Sequence, residues 1–195
     1  MRILLAAEGP SDEVVCEHLI RRLVPEATVS KKRFPSRGFP VVRRLVSDVA
    51  RAAHYGFFDA LVVHFDLNHT LPAGFLELRQ SPRWQEIQSV IDATLDGLRP
   101  IGRTNRLATS LITPCQSTDA WLAWGVENND GPAWEQRSRH ELKPRLFGLP
   151  PRGLVKKSES FVEDLKRQMN GKEQWPLSLR HSVDSLRSSL LDDAV

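Results

Sequence analysis

Oxygen-bearing side chains follow three apolar segments of the chain, at the point where each segment ends. Glu8 comes directly after "RILLAA", Asp66 and Asn68 lie in "HFDLNHT", and Asp119 lies in "CQSTDAW". Hard divalent cations such as Mg²⁺ or Mn²⁺ bind carboxylate and amide oxygens, together with water and phosphate oxygens. If these four side chains meet, they have the composition of a site for metal-dependent phosphoryl transfer.

Each acid also has a local explanation. Glu8 could accept hydrogen bonds from the start of a following helix, Asp66 could form an Asx-turn, and Asp119 could be a first-turn helix acid. These explanations are individually common, but they leave the shared position at segment ends unexplained. Gly9 favours a site because a residue without a Cβ lets a phosphate approach the backbone beside Glu8.

The segments that carry these residues have the pattern of strands alternating with helices. Short apolar runs indicate strands in "RILLAA", "EATVSKKRF", "DALVVHF" and "RLATSLITP", and the polar second run is typical of an edge strand. The alternation predicts an α/β fold with a mostly parallel four-stranded sheet flanked by helices. The carboxyl ends of parallel strands share one edge of the sheet, so we expect the site residues to meet there.

Helical spacing of apolar residues predicts the elements between and after the strands. The helices are "SDEVVCEHLIRRLV" with Ser11 as its N-cap, "FPVVRRLVSDVARAAHYG", "SPRWQEIQSVIDATLDGL" and "STDAWLAWGVE". Beyond them Gly and Pro interrupt the pattern, and two further helices are predicted between Ser158 and Asp193. We therefore expect an α/β core over residues 1–126 and a helical C-terminal extension over residues 127–195 that packs on it.

Composition limits the class of protein. A chain of 195 residues that is 41% hydrophobic can bury one ordinary core. The absence of an 18-residue apolar stretch and of a signal-peptide pattern predicts a cytoplasmic protein that does not contact membrane. Cys16 and Cys115 lack the spacing of a zinc motif or a disulfide framework, so we expect both to be buried apolar residues.

A basic stretch lies in "SKKRFPSRGFPVVRR", where acids are absent. Such a stretch can neutralise phosphates, which predicts a nucleic-acid-binding surface. A solvated basic edge or a contact with an acidic partner would give the same composition. The basic residues are Lys31, Lys32, Arg33, Arg37, Arg43 and Arg44.

The ordered motifs "LLAAEGPSDEVV", "LVVHFDLN" and "STDAWLAW" resemble those of Toprim-like domains, the fold shared by topoisomerases, primases and overcoming-lysogenisation-defect nucleases. Small stand-alone bacterial members carry Glu-Gly after the first strand, Asp-x-Asp after the third and Glu-Ala-Trp-Leu further on. The resemblance implies that Glu8 and Asp66 are catalytic. It also implies that Glu8, Asp66, Asn68 and Asp119 bind Mg²⁺ or Mn²⁺ while nucleic-acid phosphodiesters are cut.

Three further residues are auxiliary candidates for the predicted site. Lys157, in "GLVKKSESFVEDL", matches a lysine at a helix start that the family carries near its C-terminus. His64 and His69 flank the acidic loop and could assist proton transfer, although a lone histidine near a strand end is more often structural.

The sequence departs from the family pattern at two positions. Asn68 replaces the second Asp, which removes one negative charge, and Asp119 replaces a Glu, which shortens the reach by one methylene. Two hypotheses follow. The first is a Mg²⁺-dependent nuclease that cuts DNA or RNA. The second is a catalytically degraded module that binds nucleic acid or a protein partner.

The resemblance also suggests a biological setting for the first hypothesis. The nuclease would be the effector subunit of a bacterial anti-phage defence or toxin-like system that works with a separate ATPase. The chain itself lacks a G-x-x-x-x-G-K-[ST] loop and so cannot be an ordinary P-loop ATPase. A homo-oligomer is left open. A phosphohydrolase or receiver-like domain is disfavoured because Glu-Gly-Pro replaces the usual Asp after the first strand.

Overall fold

A computed structural model describes residues 1–36, 38–67, 80–98, 107–127, 131–170 and 175–192. The site candidates Arg37, Asn68 and His69 lie outside the described residues. The described strands are β1 (Arg2–Ala7), β2 (Thr28–Arg33), β3 (Ala60–His64) and β4 (Ala108–Ile112). They form one four-stranded sheet in the order β2-β1-β3-β4, and every neighbouring pair is parallel. The predicted α/β fold is confirmed, and β2 is an edge strand as its polar sequence predicted.

Helices follow each strand at the predicted places. The described helices are α1 (Pro10–Leu23), α2 (Phe39–Tyr55), α3 (Pro82–Leu98), α4 (Thr118–Glu127), α5 (Gly131–Glu135), α6 (Arg139–Phe147), α7 (Leu154–Asn170) and α8 (Leu177–Arg187), with a π-helical turn at Ser188–Asp192. None of the helices in these parts of the chain combines the length and the apolar character needed to cross a lipid bilayer.

The two faces of the sheet are covered by different helices. Ile3 and Leu5 of β1 belong to a hydrophobic cluster with residues of α1, α4, α7 and α8. Leu4 and Ala6 alternate to the other face and belong to a cluster with α2 and α3. Helices from beyond residue 127 therefore share one core with the sheet, and each fully buried aliphatic side chain there contributes about 1.5–3 kcal/mol.

The start of α1 differs from the prediction. The helix begins at Pro10, its N-cap is Gly9, and no side chain forms a cap hydrogen bond. Ser11 is a buried residue of the first turn, so the prediction of Ser11 as N-cap is wrong. Proline at the first helical position explains the earlier start, because its fixed φ suits a helix and its missing N–H needs no partner there.

Serines of the C-terminal helices cover the outer edge of β4. The backbone N–H of Thr113 donates to Ser182 Oγ at 3.3 Å, and Ser189 Oγ donates to the carbonyl of Thr109 at 2.8 Å. An open strand edge is a template for pairing with another chain. The C-terminal helices thus satisfy backbone groups that β4 would otherwise present at the edge of the sheet.

Candidate metal centre

The segments that carry Glu8 and Asp66 meet where the direction in which strands are added to the sheet reverses. After β1 the chain adds β2 on one side, and after β2 it crosses to add β3 on the other side of β1. Glu8 follows β1 directly, and Asp66 comes two residues after β3. In open parallel sheets, the crevice beyond the carboxyl ends of two such strands is the usual ligand site.

Glu8 connects three segments through its carboxylate, which is buried. Its Oε2 accepts a 2.9 Å hydrogen bond from the backbone N–H of Asp66, and its Oε1 accepts a 2.5 Å bond from the backbone N–H of Gly38. Gly38 has a φ of 103°, which favours glycine and sets the direction of that N–H. Glu8 therefore holds neighbouring loops in place and does not cap α1. The alternative that Glu8 only accepts hydrogen bonds from the start of the following helix is wrong.

Asp66 sits in a segment that continues the pairing of β3 with β4. The N–H groups of Phe65 and Leu67 donate to the carbonyls of Ile112 and Pro114, at 3.3 and 3.0 Å. Together with the bond from its own N–H to Glu8, these contacts fix the backbone on both sides of Asp66. These contacts place Asp66 at the edge of the sheet where the strands have their carboxyl ends, which we call the rim.

His64 is the last residue of β3 and is fully buried. Residues two apart in extended chain share a face, and His64 Nε2 lies 3.7 Å from Asp66 Oδ1. That distance is too long for a hydrogen bond. Among the described residues, both ring nitrogens of His64 and Asp66 Oδ1 lack a hydrogen-bond partner. An unsatisfied buried polar group costs about 1–3 kcal/mol, so these atoms point to a ligand.

Glu8, His64 and Asp66 form a group that could hold a metal ion. Each offers one ligand atom, and the three atoms lie within 4.8 Å of one another. Ligands bound about 2.1 Å from one cation are separated by about 3.0–3.4 Å, so small side-chain movements would complete the set.

Two further acids lie beside this group, in the first turns of two helices. Asp119 of α4 is buried, and Asp12 of α1 is buried and accepts a 2.5 Å hydrogen bond from Thr118 Oγ1. Burial raises the pKa of Asp66 well above its usual value, and the charges of Asp12, Glu8 and Asp119 raise it further, while Arg139 opposes them. The structure thus brings Asp119 to the predicted rim and adds Asp12.

Arg139, the first residue of α6, supplies a positive charge to the cluster. Its Nη1 lies 3.6 Å from Asp66 Oδ2, and its Nε lies 3.8 Å from Asp119 Oδ2. Sequence patterns did not identify Arg139, because it follows a segment with no recognisable motif. Asp12 did have a recognisable pattern, since it precedes Cys16 and Leu19 at helical spacing on the buried stripe of α1.

The basic stretch is largely engaged with carboxylates. Arg33 donates to both oxygens of Glu13 at 2.9 and 2.6 Å, a contact that raises the pKa of Arg33. Lys31 pairs with Glu17 at 2.5 Å. The third pair joins Arg43 to Glu86, whereas Lys32 and Arg44 form no ion pair with another described residue. All five side chains are exposed, so a phosphate that bound here would use Lys32 and Arg44 or share the paired residues.

Lys157 and Gly9 are the remaining auxiliary candidates among the described residues. Lys157 Nζ donates to the carbonyl of Phe147 at 3.2 Å, and in the described parts of the chain it forms no ion pair with the acids of the site. Gly9 has a φ of −154°, an extended conformation open to any residue, so its backbone does not require glycine. Both cysteines are buried, as expected, and they do not form a disulfide.

No protein-family model, curated protein or solved structure matches the chain. The resemblance to Toprim-like domains therefore depends on the three motifs of the sequence. At a coarse level, the four-stranded parallel sheet flanked by helices is consistent with that fold. What the site can do is inferred from its own geometry.

Proposed function

We propose that this protein is a Toprim-like phosphodiesterase that uses a divalent cation to cut nucleic acid. One observation carries the proposal. Glu8, His64 and Asp66 converge where β1 and β3 end, and three of their buried polar atoms lack hydrogen-bond partners in the described structure. A cation at that point would bind Asp66 Oδ1 and one ring nitrogen of His64, and it would offset the neighbouring negative charges.

Two carboxylates and one imidazole fit a divalent cation that is intermediate between hard and soft. Carboxylates suit Mg²⁺ and Mn²⁺ alike, whereas an imidazole suits transition metals better than Mg²⁺. We therefore propose Mn²⁺ as the better fit to Glu8, His64 and Asp66, with Mg²⁺ as the alternative. Asp119, and Asn68 outside the described residues, would complete the set of ligands that the sequence predicted.

Glu8 and His64 would have different roles in the reaction. A cation in this site would polarise the scissile phosphate and stabilise the charge that develops on it. Glu8 is oriented by two backbone N–H groups, so it can accept a proton from an attacking water in a defined direction. His64 is fully buried and cannot exchange protons with solvent directly, which favours a role as a ligand over proton transfer.

Nucleic acid is the proposed substrate because the basic stretch leads to the same rim. It runs along the edge strand β2 to Gly38, whose N–H contacts Glu8. The exposed side chains of Lys32 and Arg44 would attract the phosphate backbone. A role as effector subunit beside a separate ATPase, in anti-phage defence or a toxin-like system, is proposed from the family resemblance alone.

Cleavage of plasmid DNA and of RNA, with Mn²⁺ or Mg²⁺, tests the proposal. Glu8→Gln and Asp66→Asn should each lower the rate by about 100-fold or more, as loss of an acid/base or ligand group does. Asp48→Asn is the matched control, because it removes one carboxylate from the exposed surface of α2. Unchanged cleavage in both site variants would contradict the proposal.

One observation favours the alternative function, a non-catalytic binding module. Arg139 already places a cation between Asp66 and Asp119, so the acids have a partner without a metal. A module of this kind would bind nucleic acid or a protein partner without cleaving it. Binding that is independent of Mn²⁺, together with no cleavage by the wild-type protein, would support this alternative.

A further inference from the structure

We propose that Arg139 is a phosphate-binding residue of the same site. Its guanidinium neutralises Asp66 and Asp119 before a divalent cation binds, and it contacts the substrate phosphate once the cation has taken over these carboxylates. The inference rests on the proposed function, because it names how that site receives its anionic substrate.

The position of Arg139 places it at the mouth of the site. The side chains of Asp66 and Asp119 are 5% and 3% exposed, whereas that of Arg139 is 27% exposed. The guanidinium therefore lies between the buried acids and the solvent from which a substrate arrives. Because Arg139 is the first residue of α6, its backbone is anchored while its long side chain extends to the rim.

The contacts of Arg139 are electrostatic and leave its donors available. The distances of 3.6 and 3.8 Å to the two carboxylates exceed hydrogen-bond range, and no side-chain hydrogen bond of Arg139 occurs within the described residues. Arg33 and Arg145 differ, since each donates two hydrogen bonds to one glutamate. A guanidinium carries five N–H donors in a planar fork, which suits two oxygens of a phosphate.

Charge balance gives Arg139 a function in the reaction. The site gathers the carboxylates of Glu8, Asp12, Asp66 and Asp119, and a phosphodiester that approached them would be repelled. One divalent cation neutralises only part of this charge. A guanidinium at the mouth lowers the remaining repulsion and fixes the orientation of the phosphate.

The same geometry predicts competition between Arg139 and the divalent cation. Both would interact with the carboxylates of Asp66 and Asp119, so removal of the guanidinium should strengthen cation binding. Removal should also weaken phosphate binding. These opposite changes distinguish a phosphate-binding residue from a residue that only supports the fold, whose loss would weaken both.

The experiment compares the full-length wild-type protein with Arg139→Gln and Arg139→Lys. Mn²⁺ affinity is measured by electron paramagnetic resonance without nucleic acid, and binding of dimethyl phosphate to the Mn²⁺-loaded protein is measured by phosphorus relaxation. In Arg139→Gln we expect about tenfold tighter Mn²⁺ binding and about tenfold weaker dimethyl phosphate binding. Arg139→Lys keeps the charge, so its Mn²⁺ affinity should stay within about twofold of wild type and its phosphate binding should be intermediate.

Arg137→Gln is the control, because Arg137 lies two residues away, carries the same charge and stacks on Trp134 at 4.6 Å. It should change neither affinity. If the wild-type protein binds Mn²⁺ but Arg139→Gln alters neither constant, or weakens both, the inference is overturned and the proposed metal site stands. If neither the wild-type protein nor Arg139→Gln binds Mn²⁺ or, in a calorimetric titration, Mg²⁺, the inference and the proposed function are both overturned.

Discussion

The backbone N–H of Asp66 donates a 2.9 Å hydrogen bond to the carboxylate of Glu8 and thereby joins the ends of β3 and β1. This bond spans 58 positions of the sequence. It places two of the three candidate metal ligands relative to each other, and the third, His64, ends β3 two residues before Asp66. The centre is therefore built on rigid elements.

Loss of the Glu8 carboxylate should destabilise the fold even if no metal binds. Glu8→Ala leaves the N–H groups of Gly38 and Asp66 without their acceptor, and each unsatisfied buried donor costs about 1–3 kcal/mol. We expect a decrease of about 2–5 kcal/mol in the free energy of unfolding, measured in urea with a chelator present. Glu8→Gln keeps one acceptor oxygen, so its free energy of unfolding should decrease less. Equal losses in the two variants would contradict the proposed bonding.

The stability of the protein should depend on pH through Asp66. Its pKa is raised in the folded protein, first by burial and then by the neighbouring acids. Above the usual aspartate pKa of about 4, the folded state then binds more protons than the unfolded state, so stability falls as pH rises through the folded pKa. Above the folded pKa the loss is complete.

Asp66→Asn isolates this contribution because it removes the titrating group and keeps the size of the side chain. The free energy of unfolding of wild type minus that of the variant should decrease with rising pH above about 4, in a chelator. Mn²⁺ should reverse the decrease in wild type only, since it stabilises the ionised carboxylate. A difference that stays constant across the pH series would contradict the raised pKa.

The strands and the position of the rim could be predicted from sequence because they depend on local patterns. Continuous apolar runs define β1 and β3, and the polar β2 has the pattern of an edge strand. Since parallel strands end at a common edge, the sequence alone predicts that Glu8 and Asp66 lie close together.

The remaining features of the site depend on contacts between distant segments. Arg139 reaches Asp66 and Asp119 only because the C-terminal helices pack on the sheet, and no local pattern encodes that packing. Gly38 contacts Glu8 through backbone, which carries no side-chain pattern. The position of His64 in the sequence allows a role in proton transfer, and its full burial follows only from the packing of the assembled sheet.

The contact between α4 and α7 should be intolerant of a side chain at Gly125. A Cβ there would lie 2.8 Å from Leu165 Cα, which is a backbone atom that cannot rotate away. Gly125→Ala should therefore destabilise the protein by about 1–3 kcal/mol in urea unfolding, as overpacking does. Gly97→Ala is the matched control, because nothing lies within 4 Å of its added Cβ in α3. A Gly125→Ala protein as stable as wild type would show that the two helices are further apart.

The imidazole of His64 should determine which cation the site prefers. His64→Asn replaces a nitrogen ligand with an amide that offers a harder oxygen, so Mn²⁺ affinity should fall by about tenfold or more while Mg²⁺ affinity changes little. His140→Asn removes an exposed histidine from α6 and serves as the control. Calorimetric titration of each protein with both cations measures the change in preference. Equal losses for Mn²⁺ and Mg²⁺ would indicate a structural role for His64, because a disturbed fold does not distinguish between cations.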